Sequence, residues 1–311
     1  MLAPSLSRIT HRALQGKDDA LRLRQFLIDT YAQMGCEFNW ETRRWEGSYW
    51  CVADADLADP TWGAHTHLWE NAAGEIVGAA VPDGPGDVAL QIHPDYRALE
   101  DAMLDWSEAH IAQVKDDGQR ELIAWAFEWD TERQERLARR GHVRKPEWFW
   151  HNRRRSVSDP VPALTVAEGY TIRSVQPTDA DVERWVTCTN TVFHQSYLPE
   201  YHRNFQLYSP SHNYDLHVVA ETPDGSFAAF AGLTVDAANR TAVFEPVGTH
   251  PDHHRKGLAR ALMFEGIRRL QALGTVDVVY VANWGTADAA KLYAAVGLEQ
   301  YTTTMAWVKR F

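Results

Sequence analysis

The residue pattern best suited to chemistry lies at a predicted strand-to-helix junction in the C-terminal half of the sequence. Gly257 and Ala259 stand at this junction, where small side chains let the backbone approach a ligand closely. The free amides of a first helical turn, with the positive end of the helix dipole, attract anions. Three cations add charge to this turn: Arg255, Lys256 and Arg260. The pattern predicts an anion site, with a solvated basic helix start as the alternative.

Apolar periodicity and turn signals predict the elements that position this turn. Two β-rich runs, 216–221 and 227–235, flank the turn sequence Thr222-Pro223-Asp224-Gly225 and indicate an antiparallel hairpin. The elements predicted after the hairpin are strand 241–249, helix 256–272, strand 276–282, helix 286–296 and a closing strand 301–308. The turn therefore joins a strand of a sheet to an amphipathic helix.

The length and internal repeats indicate two domains. A chain of 311 residues exceeds the usual single-domain size, and a polar, proline-containing segment at about 153–168 is a linker candidate. His93-Pro94-Asp95 recurs 157 positions later as His250-Pro251-Asp252, and Gly141 recurs as Gly297. These matching landmarks indicate an internal duplication. We therefore predict domains at residues 1–155 and 156–311.

Composition narrows the function classes. The net charge of -11 disfavours nucleic acid as the main partner, although residues 251–270 form a basic island that could attract an anionic ligand. The longest apolar run falls far short of a membrane span, and no apolar signal core follows the N-terminus. The three cysteines lack metal-ligand spacing and fit a reducing compartment. We expect a cytoplasmic protein without metal, nucleic-acid or membrane partners.

Residues 247–262 resemble the pyrophosphate loop of the GNAT acyltransferase superfamily, whose pattern is Arg/Gln-x-x-Gly-x-Gly/Ala. The resemblance implies that loop amides hold the pyrophosphate of acetyl-CoA, the co-substrate, while the preceding strand bonds the pantetheine arm. His254 departs from the pattern, where the family prefers Arg or Gln. The implied cofactor-binding residues are Val247, Gly248, Thr249, His254, Arg255, Lys256, Gly257, Leu258, Ala259 and Arg260.

A second stretch resembles the family's second CoA motif. It contains Ala290, Tyr293 and Gly297, and either Asn283 or Thr286 takes the position of the motif's Asn. The two motifs and the strand order extend the resemblance over nearly all of residues 170–311. The implied fold class is α/β (an α+β mixed sheet): two tandem GNAT-like domains, each with a central, largely antiparallel sheet flanked by helices.

The resemblance also implies catalytic roles. Tyr293 falls where the family's tyrosine protonates the leaving thiolate of CoA, with a core tyrosine as the alternative. Glu245, an acid in an otherwise apolar strand, falls where the family often has the base that takes the amine's proton; the alternative is a structural acid paired with Arg240 or Arg260. His217 is the reserve base. The implied acceptor-binding candidates are His194, Tyr197 and His217.

The same alignment predicts that the first domain is degenerate. Glu100 and Asp101 fall at the positions of Gly257 and Leu258, where negative charge would oppose a pyrophosphate. Leu137 replaces Tyr293 in this alignment, and Val88 similarly replaces Glu245.

The sequence thus predicts an N-acetyltransferase that transfers an acetyl group from acetyl-CoA to a primary amine of a small molecule by direct displacement. A mycothiol-synthase-like enzyme, a protein N-acetyltransferase and a non-catalytic CoA-binding sensor are the alternatives. We expect a monomer or a homodimer.

Overall fold

A computed structural model of the protein describes residues 8–34, 37–284 and 287–311. The chain forms two compact units. Unit 1 contains the described residues up to Trp45, together with Ala58–His151 and Thr302–Phe311. Unit 2 contains Glu46–Leu57 and the described residues of Asn152–Tyr301. The predicted boundary at 155/156 differs from this division mainly at two segments, Glu46–Leu57 and Thr302–Phe311.

The first half of the chain alternates strands and helices. Its helices are α1 (Gly16–Met34), α2 (Thr42–Trp50), α3 (Asp54–Ala58), α4 (Glu100–His110) and α5 (Thr131–Arg139). Its strands are β1 (Thr10–Ala13), β2 (His67–Glu70), β3 (Ile76–Pro82), β4 (Asp87–Ile92), β5 (Gln113–Val114), β6 (Arg120–Phe127) and β7 (Val143–Ser156). The unit 1 sheet has the order β1, β2, β3, β4, β6, antiparallel except for the parallel pair β4 and β6.

The second half repeats this arrangement. Its helices are α6 (Asp179–Phe193), α7 (Pro199–Tyr208), α8 (Leu258–Leu273) and α9 (Ala287–Ala295). Its strands are β8 (Thr171–Ser174), β9 (His217–Glu221), β10 (Phe227–Asp236), β11 (Thr241–Thr249), β12 (Val278–Trp284) and β13 (Glu299–Arg310). The unit 2 sheet has the order β8, β9, β10, β11, β12, with β11 and β12 as its parallel pair. In each unit a helix, α4 or α8, connects the two parallel strands.

Two sequence expectations about strands were wrong. The last strand does not close the second domain: β13 pairs with β6 from Thr304–Phe127 to Arg310–Glu121, and Trp307 joins the core of unit 1. The linker candidate began too early, because 153–156 belong to β7, which neighbours β12 in unit 2. The alternation of apolar and polar residues predicts which side chains of a strand face a core. It does not predict which neighbouring strand will pair with it.

The duplication is confirmed by equivalent polar networks inside the two units. In each unit, an arginine on the first strand forms ion pairs with two carboxylates, one in the following helix and one at the end of the second strand. In unit 1 these residues are Arg12, Asp19 and Glu70. In unit 2 they are Arg173, Asp181 and Glu221. Each His-Pro-Asp sequence also forms the same short 3-10 turn, in which the histidine accepts a hydrogen bond from the aspartate amide.

The core of unit 2 lies between the sheet and α8. It includes Leu233, Phe244, Leu262, Ile267 and Val279, each at most 2% exposed. The burial of this apolar face fixes the direction of α8 and therefore the position of its N-terminus. In the described part of the chain, no helix is both long and apolar enough to span a membrane.

Candidate active site

The sheet of unit 2 opens between β11 and β12. Their parallel pairing covers only Thr241–Val278 to Val243–Tyr280. On its other edge β11 stays paired with β10 as far as Thr249, with a register shift opposite Glu245 and Pro246. The two parallel strands therefore part before Glu245 and Pro246. Backbone groups of β11 beyond this point can face an extended ligand.

The direction of these backbone groups follows from the pairing with β10. The His250 amide donates to the Ala228 carbonyl at 2.8 Å. Because hydrogen-bonded and non-bonded pairs alternate in an antiparallel ladder, the amides and carbonyls of Val247 and Thr249 point away from β10 and into the opening. The Val247 amide, a predicted cofactor-binding group, therefore points into the opening, where it can donate a hydrogen bond to a ligand. His254 lies beside it, with Nε2 3.0 Å from the Thr249 carbonyl oxygen.

The loop after β11 presents the start of α8 to solvent. Gly257 has φ 73°, a left-handed conformation that favours glycine, and α8 begins at Leu258. A Cβ built at Gly257 would meet no atom within 4 Å. Among the described residues, no side chain caps this helix. The amides of its first turn, at Leu258, Ala259 and Arg260, are therefore available to an anion.

The cations of this loop fall into two groups. Arg255 and Arg260 are exposed and have no ion pair within the described ranges. Lys256 Nζ instead donates to the Tyr170 hydroxyl at 2.7 Å, and that hydroxyl lies 2.8 Å from His253 Nδ1. Burial and the charge of Lys256 lower the pKa of His253. The loop residues thus fit a phosphate-bearing ligand.

Glu245 and Tyr293 lie close enough to interact electrostatically. Tyr293 on α9 is 7% exposed. Burial, followed by the charge of Glu245, raises the pKa of Tyr293 to about 12, whereas Arg153 opposes this rise. The phenol therefore keeps its proton at neutral pH and can donate it. Glu245 is half-buried at the register shift of β11, and Arg240, one of its predicted partners, pairs with Asp277 at 2.7 Å.

The second predicted CoA motif is only partly described. Asn283 is 4% exposed near the end of β12, where its Oδ1 accepts from Arg153 Nε at 3.0 Å. Ala290 is partly buried on α9. Thr286 lies outside the described residues. Asn283 is thus held by the protein itself, in a buried position.

The predicted acceptor residues do not share one environment. His194 ends α6 with φ 52° and is exposed. Tyr197 is 47% exposed, and its backbone amide and carbonyl are both held by the Asn190 side chain at 3.0 and 2.9 Å. His217 is only 1% exposed and packs against Trp185. His194 and Tyr197 are therefore exposed at the surface, whereas His217 is buried in the interior.

The equivalent position in unit 1 holds the protein's own carboxylate. Glu100, at the start of α4, is fully buried. It contacts Arg97 at 2.6 Å, Arg133 at 3.0 Å and Arg136 at 3.6 Å. Leu137, which replaces Tyr293 there, is fully buried in the unit 1 core. A carboxylate therefore already neutralises the guanidinium groups nearest this helix start.

Sequence reasoning missed two features of unit 2. Glu46 is fully buried and accepts hydrogen bonds from the Ser209 hydroxyl and from the amide (3.1 Å) and hydroxyl (2.5 Å) of Ser211, so a segment of the first half belongs to this unit. Arg153 was assigned to a linker although it is buried and its charge acts on Tyr293. No local signal marks Glu46, but the alternation of Arg153 and Arg155 fits two side chains on one face of a strand.

The comparisons with known proteins agree with this geometry. Residues 180–298 match the model of the acetyltransferase (GNAT) family. The fold is similar to that of a GCN5-related N-acetyltransferase from Sphaerobacter thermophilus, with TM-score 0.64, 18% identity and coverage of 99% of this chain and 97% of that one. A tandem GNAT protein from the clavulanic acid biosynthesis pathway gives TM-score 0.66 and 18% identity, with coverage of 97% and 98%.

A more distant likeness involves a different acyl group. Saccharomyces cerevisiae N-myristoyltransferase gives TM-score 0.59 and 13% identity, covering 98% of this chain and 79% of that one. No curated protein matches by sequence.

Unit 2 contains a domain of the GNAT acetyltransferase family, and the chain as a whole has a tandem GNAT fold. The predicted family and fold class are confirmed. This fold binds acyl-CoA and supports N-acyltransferase activity. No group of three or more His, Cys, Asp and Glu residues in the described ranges is arranged to hold a metal ion.

Proposed function

We propose that the protein is an N-acetyltransferase that transfers the acetyl group of acetyl-CoA directly to a primary amine of a small molecule. The observation that carries this proposal is that the carboxylate of Glu245, at the register shift of β11, lies within electrostatic reach of the buried phenol of Tyr293 on α9. Acyl transfer to an amine needs one group that takes a proton and another that gives one. A sensor of CoA would need only the loop.

Each step of the proposed reaction has a residue of this chain. Bound acetyl-CoA supplies a thioester as the acyl donor. Glu245 takes a proton from the acceptor ammonium, which frees the nitrogen lone pair. The Val247 amide donates a hydrogen bond to the thioester carbonyl oxygen as negative charge develops there. The C–N bond forms, the C–S bond breaks, and Tyr293 gives its proton to the departing sulfur. The new amide nitrogen then loses its second proton to solvent. Glu245 releases its proton to solvent, and the Tyr293 phenolate takes one up, which restores both groups.

The loop supports CoA as the carrier of the acyl group. Three amides without a side-chain cap begin α8, and Arg255 and Arg260 add positive charge within one turn of them. These features complement a pyrophosphate. The proposed cofactor contacts of Gly248, Thr249, His254 and Lys256 follow from their places along the same strand and loop.

The test is release of free thiol from acetyl-CoA in the presence of a library of small amines, with mass spectrometry of the acylated product. Release that depends on a small amine, and that falls in Glu245→Gln and Tyr293→Phe, supports the proposal. Release only with peptides would instead indicate a protein N-acetyltransferase. Binding of acetyl-CoA without release would indicate a sensor, and release from myristoyl-CoA alone would refute the acetyl assignment.

A further inference from the structure

Two buried arginines on β7 hold the chain where α9 ends. Arg153 and Arg155 alternate along the strand and are 9% and 7% exposed. Arg155 Nη1 donates to the Val296 carbonyl, and Arg153 Nη1 donates to the Leu298 carbonyl at 3.4 Å. The last carbonyls of a helix lack partners within it, and cations are favourable at this end of the dipole. Arg155 therefore stabilises the end of α9, and Arg153 holds the turn that follows it.

Arg153 reaches two further parts of the site. Its Nε donates to Asn283 Oδ1 at 3.0 Å, near the end of β12. The Leu298 amide in turn donates to the Tyr293 carbonyl at 2.9 Å. Arg153 thus connects β12, one wall of the opening, to the turn that holds Tyr293. The remaining bonds of Arg155 go elsewhere, to the carbonyls of Asp159 and Pro160.

Arg153 also supplies positive charge to the phenol. Burial first, and then Glu245 on β11, disfavour the ionised form of Tyr293 and raise its pKa, whereas Arg153 on β7 favours that form and lowers the pKa. A phenol that donates its proton during the reaction gains negative charge as it does so. A fixed guanidinium beside it stabilises that charge without rearrangement.

We propose that Arg153 is a positioning residue for the acyl-transfer site, which holds Tyr293 and Asn283 in place and sets a positive charge beside the phenol as it gives up its proton. The inference rests on the proposed function, in which Tyr293 protonates the departing thiolate. Arg153 lies outside residues 180–298, the part of the chain that matches the family. The role is therefore assigned by this structure alone.

The test compares Arg153→Gln with Arg155→Gln, its matched control, and with Arg153→Lys. Both Gln variants should lower Tm, because each removes a buried cation that holds a carbonyl of the segment following α9. Only Arg153→Gln should lower kcat, by about tenfold, the equivalent of one pKa unit at the phenol. Its Kd for acetyl-CoA should stay within about twofold of the wild-type value, since the loop amides are untouched. Arg153→Lys, which keeps the charge, should recover most of kcat.

A double variant separates positioning from general loss of structure. In the Tyr293→Phe background, Arg153→Gln should cause no further fall in kcat, because the group on which it acts is gone. Equal kcat in the two Gln variants, no recovery in Arg153→Lys, or an additive loss in the double variant would overturn the inference while the proposed function stands. A wild-type chain that turns over no amine would overturn both.

Discussion

Substitution of Gly257 isolates the electrostatic part of CoA binding. Glycine is favoured there because φ is 73°, and a Cβ would meet no atom within 4 Å. Replacing Gly257 by any other residue therefore destabilises the loop only through backbone strain, by about 1–2 kcal/mol. Since Ala, Glu and Lys share that strain, Gly257→Glu and Gly257→Lys differ from Gly257→Ala mainly in charge.

The size of the charge effect follows from the exposed position of the loop. For two unit charges about 6 Å apart at an effective dielectric constant of about 40, the interaction is roughly 1.4 kcal/mol. A carboxylate opposed to two negative charges of the pyrophosphate then costs about 3 kcal/mol, or roughly 100-fold in Kd. Screening by about 0.15 M salt reduces this toward tenfold.

The assay is calorimetric titration of acetyl-CoA into the three variants at low and physiological salt. We expect Gly257→Glu to bind at least about tenfold more weakly than Gly257→Ala, and Gly257→Lys to bind no more weakly than Gly257→Ala. The gap between Glu and Lys should shrink as salt rises. Equal affinities for Ala, Glu and Lys at both salt concentrations would refute an anion site at the start of α8.

Three further substitutions test other parts of the account. Glu245→Gln should lower kcat about 100-fold, as loss of a general base does, with Kd for acetyl-CoA unchanged; an unchanged kcat would remove Glu245 as the base. Tyr293→Phe should lower kcat at least about tenfold by removing the proton donor, and a loss confined to KM would contradict that role. Burial raises the pKa of Asp87 from 3.8 to about 7. The folded protein is therefore most stable, with respect to this group, below the unfolded pKa, and it loses that stability as pH rises through about 7. Asp87→Asn, which can still accept from Trp125 Nε1, should therefore raise Tm by roughly 2–4 °C at pH 8 and by much less at pH 5. Equal shifts in thermal melts at the two pH values would refute this linkage.

Local patterns predicted the elements around the loop well. Strand 241–249 was predicted with the bounds that the structure gives to β11, because its apolar run ends in a proline-containing turn. The predicted helix start at Lys256 lies two residues before that of α8, since the left-handed Gly257 delays the first helical turn. The two ends of the loop were therefore readable from residue types alone.

The pairing of strands distant in sequence and the burial of polar side chains could not be predicted from the sequence. Three consecutive arginines, 153–155, are typical of a solvated linker, yet two of them are buried because carbonyls at the end of α9 accept their hydrogen bonds. His217 was a candidate for the acceptor site, but its strand turns it toward Trp185 in the interior. The burial of these side chains depends on which elements pack together in the fold. Residue spacing along the chain does not determine that packing.

The count of acyl-CoA sites tests the central claim most directly. Titration of the wild-type chain with acetyl-CoA should give one site per chain, in unit 2, because Glu100 and its arginines occupy the equivalent helix start in unit 1. That single site should weaken sharply in Gly257→Glu. Two equal sites in the wild-type chain, or a site unaffected by Gly257→Glu, would contradict the account.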